Sequence, residues 1–498
     1  MKLLNIFKNQ YFWLSLVILL AFAVRLYKID SPIADWHSWR QADTASVTRN
    51  FIKEGFNPFL PKYDDMTGVS EKPIVNTLRF RFVEFPVYNI AVYPFYLLFG
   101  VLEKISRLVS VIFSLGSLIF LYLITKKYTS VVIALTSALT FALLPYNVFF
   151  SRTTLPEPTF VFFALGMVYF MDRWIWESAS PWLGIWAFIF TALAFLMKPW
   201  AAFYFLPLFY SVYKNTGRIW PLPKRFILLT VAAIIPFILW RLWILQQPQG
   251  IPASSWLLNS DGIRFRPAFW WWIVSERLGR EILGVTGLVL FFIGFIQKPK
   301  NSSPRGAGNY FLHFWALSLF LFFIIFATGN VRHDYYQVLF APIASIFLAY
   351  GFINLISGSN PYIPRIWTIV LALWFFLLTY YFGWKYVSGL YQINNPVIVE
   401  AGQRADQILP KKAVVLAPYN GDTAFLYHIN RPGFAVVPLS IKEMVADYGI
   451  THFVSVSRDD KTNWVIRYFQ VLEDNPKFVI ADLTEMKKPF DDILDPEP

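Results

Sequence analysis

The sequence predicts an α-helical polytopic membrane protein of about eleven spans, followed by a small α/β domain outside the bilayer. The first sign is composition: 56% of the 498 residues are hydrophobic, 19% are aromatic and only 15% are charged, whereas a soluble domain is about 45–50% apolar and roughly 25% charged. The second is a series of long apolar runs separated by basic turns. The third is a shift to soluble composition after residue 384.

A bilayer core about 30 Å thick needs roughly 20 helical residues. Runs of about that length fall near 11–27, 105–125, 131–150, 159–174, 182–197, 199–213, 226–245, 281–297, 310–327, 337–357 and 366–384. The first follows Lys2 and Lys8 and ends in Arg25-Leu26-Tyr27-Lys28, which lacks the small residues of a cleavage site, so an uncleaved span is expected. Phe85 to Phe99 carries Pro86 and Pro94 and reads as an interfacial helix. With the N-terminus in the cytoplasm, the inner turns hold Lys126, Lys127, Arg173, Lys214, Arg218, Lys224, Arg225, Lys298, Lys300, Arg305 and Arg365, against only Asp172 and Glu177. Counting Phe85 to Phe99 as a span would invert this bias.

The expected domains are therefore 1–384 in the membrane, including an outer loop over 28–104, and a soluble extracytoplasmic α/β domain over 385–498. In the latter, short β-branched runs at 413–416 and 452–456 alternate with helical patterns such as 400–409, and 491–498 reads as a frayed end. The net charge of +13 follows topology rather than forming a nucleic-acid stripe, so no nucleic-acid partner is expected. Without cysteine there are no disulfides, thiolate metal sites or cysteine nucleophiles. Gly-rich phosphate loops, zinc motifs and GxSxG elbows are missing as well.

Charge is costly at a span centre, at about 2.5–3.5 kcal/mol on insertion scales. Here it gathers at the expected outer ends: Arg152 and Glu157, Lys198, and Arg332, His333 and Asp334. A transporter would place coupling carboxylates near the midplane instead. Together with the first outer loop, these groups are expected to line one polar cavity at the outer face.

That loop opens with Asp35-Trp36-His37-Ser38-Trp39-Arg40-Gln41-Ala42-Asp43-Thr44. If Arg40 to Phe51 is helical, Arg40 and Asp43 share a face. A carboxylate and an imidazole offer a base for an acceptor hydroxyl, and a guanidinium steadies a departing phosphate; an amphipathic surface helix with an Arg40–Asp43 pair fits the same residues. Glu84, before Pro86, reads as a second acid or as a helix N-terminal charge. Asp64 and Asp65 read as solvated loop acids. Arg152, Lys198, Arg332, His333 and Tyr336 suit a phosphate or an interfacial anchor equally. Asp261 to Arg266, which includes Arg264, and the Trp270-Trp271-Trp272 run fit an outer loop; the tryptophans read most simply as an interfacial belt, or else as facing a lipid tail or sugar rings.

HSWRQADTASVTRNF, EFPVY, FFSRTTLPE, LAFLMKP and RHDYYQ, in that order, resemble bacterial glycosyltransferase family 39-like membrane proteins, relatives of protein O-mannosyltransferases and lipid A aminoarabinose transferases with the glycosyltransferase-C fold. The resemblance covers roughly residues 1–380. It implies an inverting glycosyltransferase that uses a polyprenyl-phosphate sugar at the outer face of the membrane, with a lipid, glycan or protein acceptor. It implies Asp43 as base, His37 as alternative or helper, and Glu84 as second acid. Arg152, Lys198 and His333 occupy positions resembling basic residues of the family that face the lipid phosphate; Arg40, Arg332 and Tyr336 are further candidates for the donor phosphate, and Asp64, Glu157 and Arg264 are candidate donor or acceptor contacts. His37-Ser38 stands where the mannosyltransferases carry an Asp-Glu pair. Some members use a divalent metal, for which His37, Asp43 and Glu84 are the candidate ligands. The rival readings are a lipid or glycan flippase or transporter, which calls for coupling charges in span centres or paired broken helices, and a non-catalytic membrane scaffold that binds partners through its tail and would tolerate Asp43→Asn.

Overall fold

A computed structural model describes residues 9–72, 74–299, 309–358 and 363–487. Lys2, Lys8, Lys300, Arg305 and the 491–498 end lie outside the described residues. By their contacts the residues divide into two units. The helical unit comprises Met1–Ile29, Arg107–Arg241 and Ser254–Tyr391, and the mixed unit comprises Asp30–Ser106, Leu242–Ala253 and Gln392–Pro498. The first outer loop thus packs with the tail, whereas the sequence suggested a boundary at 384.

Each of the eleven expected segments holds helix, but prolines and glycines interrupt several. The 131–150 run divides into Val131–Leu143 and Pro145–Phe150, as it must where proline removes a donor. The 199–213 run begins as a tight turn over Pro199–Tyr204 before Phe205–Thr216. The chain bends by 107° between Pro267–Ile282 and Thr286–Phe295, where Gly284 and Val285 both take positive φ. The tryptophan run expected in a loop is helical, within Pro267–Trp271 and the π-helical Trp272–Ile282. Among the described residues four helices are long and apolar enough to cross a membrane: Glu103–Tyr128, Lys224–Ile244, Asp334–Ser357 and Arg365–Tyr391. Counting the bent pair as one span makes five. The remaining apolar helices are shorter, among them Gln10–Arg25, Val131–Leu143, Pro181–Met197 and Phe311–Ile325.

Lys224–Ile244 leaves Leu228, Leu239 and Leu242 exposed, which a helix with internally paired backbone tolerates in lipid. Thr286–Phe295 and Ala341–Ser357 meet at backbone distance: a Cβ on Gly294 would lie 2.0 Å from the Phe347 carbonyl oxygen, the small-residue packing typical of membrane helices. Arg25 is buried, but its Nε donates to Ser151 Oγ at 2.7 Å and its Nη1 to the Ala21 and Ala142 carbonyls at 2.9 Å each. It therefore fastens the first helix to the end of Val131–Leu143 and to Ser151, which caps Pro145–Phe150.

The mixed unit is built on a five-stranded sheet: β1 Val415–Leu416, β2 Gly433–Phe434, β3 His452–Ser455, β4 Phe469–Asp474 and β5 Val479–Met486, in the order β2-β1-β3-β5-β4. Strands β2, β1 and β3 are parallel, while β5 pairs antiparallel with β3 and β4. The helix Ile441–Tyr448 starts in a capping box of Ser440 and Glu443, which satisfies two otherwise orphan donors. The early segment belongs to this core. Ile33, Ala42 and Ala45 pack with Ala401, Ala405, Phe425 and Ile480, and Met66 packs with Leu416, Phe434 and Phe453. Asp65 even pairs with Gly433 as a parallel bridge, the Gly433 N–H donating to the Asp64 carbonyl at 3.0 Å. Gly433 is required there, because a Cβ would fall 1.8 Å from the Val415 carbonyl oxygen. Val87–Phe99 forms a 13-residue helix in the same unit, with Leu97, Leu98 and Phe99 exposed; it is too short to span.

Candidate functional site

The site in the mixed unit grows from the helix Ser38–Glu54. Its sequence is polar, yet every residue from Arg40 to Phe51 is buried. Buried polar groups must be paired, so partners decide what each can do. The chain enters the helix through His37, whose φ of 56° is left-handed. Asp35 accepts from Gln41 Nε2 at 2.7 Å and holds this entry.

Asp43 Oδ2 pairs with Arg81 Nη2 at 2.8 Å, and its Oδ1 accepts from Thr423 Oγ1 at 2.6 Å. Arg81 in turn lies over the Tyr63 ring, 4.9 Å from its centroid. Arg40 does not pair with Asp43, as the helix spacing suggested, but donates to both oxygens of Glu84 at 2.7 and 3.0 Å. The physical reason is length: the guanidinium reaches the loop end at Glu84, leaving Asp43 to Arg81. Burial raises the Asp43 pKa, against the pull of Arg81, Thr423 and Arg40, and the Asp422 charge pushes the same way as burial. Asp65 is raised to about 6, chiefly by burial, with the Asp43 charge adding to it. Asp422 accepts from Ser38 Oγ and from the Ala424 N–H, and its pKa is raised by burial while His37 lowers it.

Asp64 is not a solvated acid. It is buried, paired with Arg49 and bonded to Asn50 Nδ2 at 3.0 Å. Arg49 also donates to the Tyr427 carbonyl at 2.6 Å and stacks 4.3 Å over the Tyr427 ring. Asp65 is likewise buried. His37, Asp43 and Glu84 form no metal group: none of three or more His, Asp or Glu occurs among the described residues, and each of the two carboxylates already faces an arginine. These residues do not fit a divalent ion as they stand.

The helical unit brings five of the expected residues together. Lys198 Nζ donates to the buried Glu157 at 2.6 Å and lies 4.4 Å from the Trp200 ring centroid and 5.6 Å from that of Tyr336. Tyr336 and His333 rings are 5.2 Å apart, and Trp256 receives both His333, at 5.5 Å, and Arg332, at 5.4 Å. Arg152 is buried over Tyr391 at 4.4 Å and donates to the Lys28 carbonyl at 3.1 Å. Arg264 donates to the Leu258 and Ile325 carbonyls at 3.0 and 2.9 Å, a backbone-fastening position rather than a free ligand.

Sequence reasoning missed Arg81 and Thr423, and it set Asp422, with His428, aside as too loose a pair for a catalytic claim. It also missed the buried set in which Arg277 faces Glu281 and lies 3.7 Å from Asp334, with Tyr386 donating to Glu281 at 2.8 Å. Arg79-Phe80-Arg81-Phe82 alternates base and aromatic, a signal that could have marked Arg81. A lone threonine in the tail carries no signal of its own.

Residues 85–243 match the family model described as dolichyl-phosphate-mannose-protein mannosyltransferase. An uncharacterized protein of Aquifex aeolicus is 36% identical over 149 residues, a stretch spanning 30% of this chain and 33% of that relative. ArnT from Cupriavidus metallidurans, solved bound to undecaprenyl phosphate, superposes with a TM-score of 0.64 at 14% identity, covering 94% of this chain and 98% of ArnT. The apo oligosaccharyltransferase of Archaeoglobus fulgidus gives a TM-score of 0.55 at 10% identity, covering 93% and 73% of the two chains. The fold is that seen in ArnT and the oligosaccharyltransferase, and residues 85–243 are similar to the mannosyltransferase family, in line with the motifs.

Proposed function

We propose that this chain is a membrane glycosyltransferase that takes a sugar from a polyprenyl-phosphate-linked donor and passes it to a hydroxyl or amine of a lipid, glycan or protein acceptor. The observation that carries the reading is Asp43: a buried carboxylate held on one oxygen by Arg81 and met on the other, among the described residues, by a hydroxyl alone. Such a group is fixed in place yet can accept a proton, as a general base requires. The acceptor O–H gives its proton to Asp43 as its oxygen bonds to the anomeric carbon. The bond from that carbon to the phosphate oxygen breaks, and the electron pair leaves with the phosphate. Attack opposite the leaving group inverts the centre.

Lys198, Arg332, His333 and Tyr336 are the proposed ligands of the donor phosphate, with Arg152 as a further cation. A departing phosphate is already anionic, so cations matter more to it than protonation. In this reading Glu157 holds Lys198 in place and Glu84 holds Arg40. The expected setting is the outer face of the cell membrane, supported by the basic bias of the opposite turns. The resemblance to ArnT, solved with undecaprenyl phosphate, supports the donor class.

The test incubates purified chain with labelled polyprenyl-phosphate sugars and candidate acceptors, comparing wild type with Asp43→Asn. Transfer by wild type and its loss in a folded Asp43→Asn are the expected results. Undiminished transfer by the variant would remove Asp43 as base, and no transfer from any donor would overturn the enzyme reading.

A further inference from the structure

The Thr423 hydroxyl has one hydrogen and two acceptors. Its Oγ1 lies 2.6 Å from Asp43 Oδ1 and 3.1 Å from the Trp39 carbonyl oxygen. Thr423 opens the short helix Ala424–Ile429 of the sheet-bearing tail and is itself buried. The adjoining Asp422 holds the same junction, accepting from Ser38 Oγ at the start of the Asp43 helix and from the Ala424 N–H at 2.8 Å. From this arrangement we infer that the tail supplies a positioning residue to the proposed base: Thr423 bonds Asp43 Oδ1 in the resting state and turns to the Trp39 carbonyl when that oxygen takes a proton. The inference rests on the proposed function and deepens it.

The physical argument is one of competing bonds. A hydrogen bond to the ionised form of a carboxylate stabilises that form. Asp43 sits where burial opposes ionisation, with Arg81 and Arg40 favouring the charged form and Asp422 and Asp65 disfavouring it. Tyr63 lies beside Arg81, and Glu84 neutralises Arg40. The guanidinium of Arg81 has no alternative role in this exchange, since its bond is to Oδ2. Among the described residues, Thr423 is the donor to Asp43 that can give up Oδ1 without leaving its own hydrogen unpaired, because the Trp39 carbonyl accepts it. The base would then be kept charged between turnovers and released on the oxygen that faces the hydroxyl. A tail of this kind is part of the reaction machinery rather than an appended binding module.

The test reads protonation directly and needs no donor. Full-length chain in detergent is titrated by pH-difference infrared spectroscopy, and the carboxyl band of Asp43 is assigned by its loss in Asp43→Asn. Removing a hydrogen bond to a charged group, worth about one to two pH units, should move the midpoint upward by about one unit in Thr423→Val. Thr423→Ser, which keeps the hydroxyl, should hold the wild-type midpoint. A wild-type midpoint in folded Thr423→Val, or a shifted one in Thr423→Ser, overturns the inference. Should Thr423→Val not fold, Thr423→Ala is titrated in its place and judged the same way. The two ideas fail separately: loss of transfer in Asp43→Asn with no shift in Thr423→Val sinks only the positioning role. A shift accompanied by full transfer in Asp43→Asn sinks the catalytic reading.

Discussion

Two aspartates of the mixed unit, Asp43 and Asp64, each face an arginine below the protein surface, but the environments separate them. Asp64 is closed: Arg49 takes one oxygen, the Asn50 amide takes the other, and Arg49 is pinned in turn by the Tyr427 carbonyl and ring. Asp43 is paired on one side and met on the other by a hydroxyl with somewhere else to go. A buried pair whose partners are all fixed can only hold structure. One with an exchangeable donor can take part in proton transfer. An ion pair therefore says little about role until the second oxygen is followed.

The largest expected effect sharpens that contrast. Asp43→Asn should reduce sugar transfer by about 10²–10⁴-fold, the usual contribution of a general base, read on the folded fraction because Arg81 also loses its charged partner. Asp64→Ala should act on stability alone. Leaving the Arg49 charge buried without its partner costs about 3–5 kcal/mol, read as a lowered unfolding midpoint, while the folded fraction keeps its activity. Loss of activity in folded Asp64→Ala would break the comparison.

A smaller effect belongs to Asp65, whose pKa burial raises to about 6. A folded pKa above the unfolded value of about 3.9 means that the neutral acid is favoured by folding. That stability is complete below pH 4 and is lost as pH rises through 6. Asp65→Asn, neutral at all pH, should gain about 1–3 kcal/mol over wild type at pH 8 and none below pH 4, as thermal melts at the two pH values would show. His428 has the opposite sign. Burial lowers its pKa to about 4, and its Nε2 lies 3.0 Å from the Ile33 carbonyl, so its contribution is full above pH 6.5 and fades as pH falls toward 4. The smallest effect is Ser440→Ala, which removes the capping box of Ile441–Tyr448 and should cost about 1 kcal/mol without touching transfer.

Much of the helical unit was legible because lipid imposes a simple rule: long apolar runs form helices with paired backbones. All eleven runs hold helix, and the breaks fall at residues such as Pro145 and Gly284 that were visible in the sequence. The conspicuous motif residues Lys198, His333 and Tyr336 do lie together. The mixed unit was less legible. Its strands β1 and β2 are two residues each, too short for periodicity to register, and its core joins segments distant in the chain. Asp64 read as solvated because nothing local announces Arg49 as its partner, and Arg40 was matched to Asp43 because helical spacing sees only near neighbours. Thr423 was beyond reach for the same reason, being a common residue whose significance lies wholly in what it meets.

The contact between Asp43 and Thr423 spans 380 residues of chain, and that distance sets a schedule for biosynthesis. At ribosomal speeds of about 5–20 residues per second, the buried polar face of Ser38–Glu54 waits roughly 20 to 75 s for the strands and helices that cover it. Throughout that interval Arg49, Asp64 and the edge that receives Gly433 have no native cover. The cover arrives only with the synthesis of the strands between Val415 and Met486.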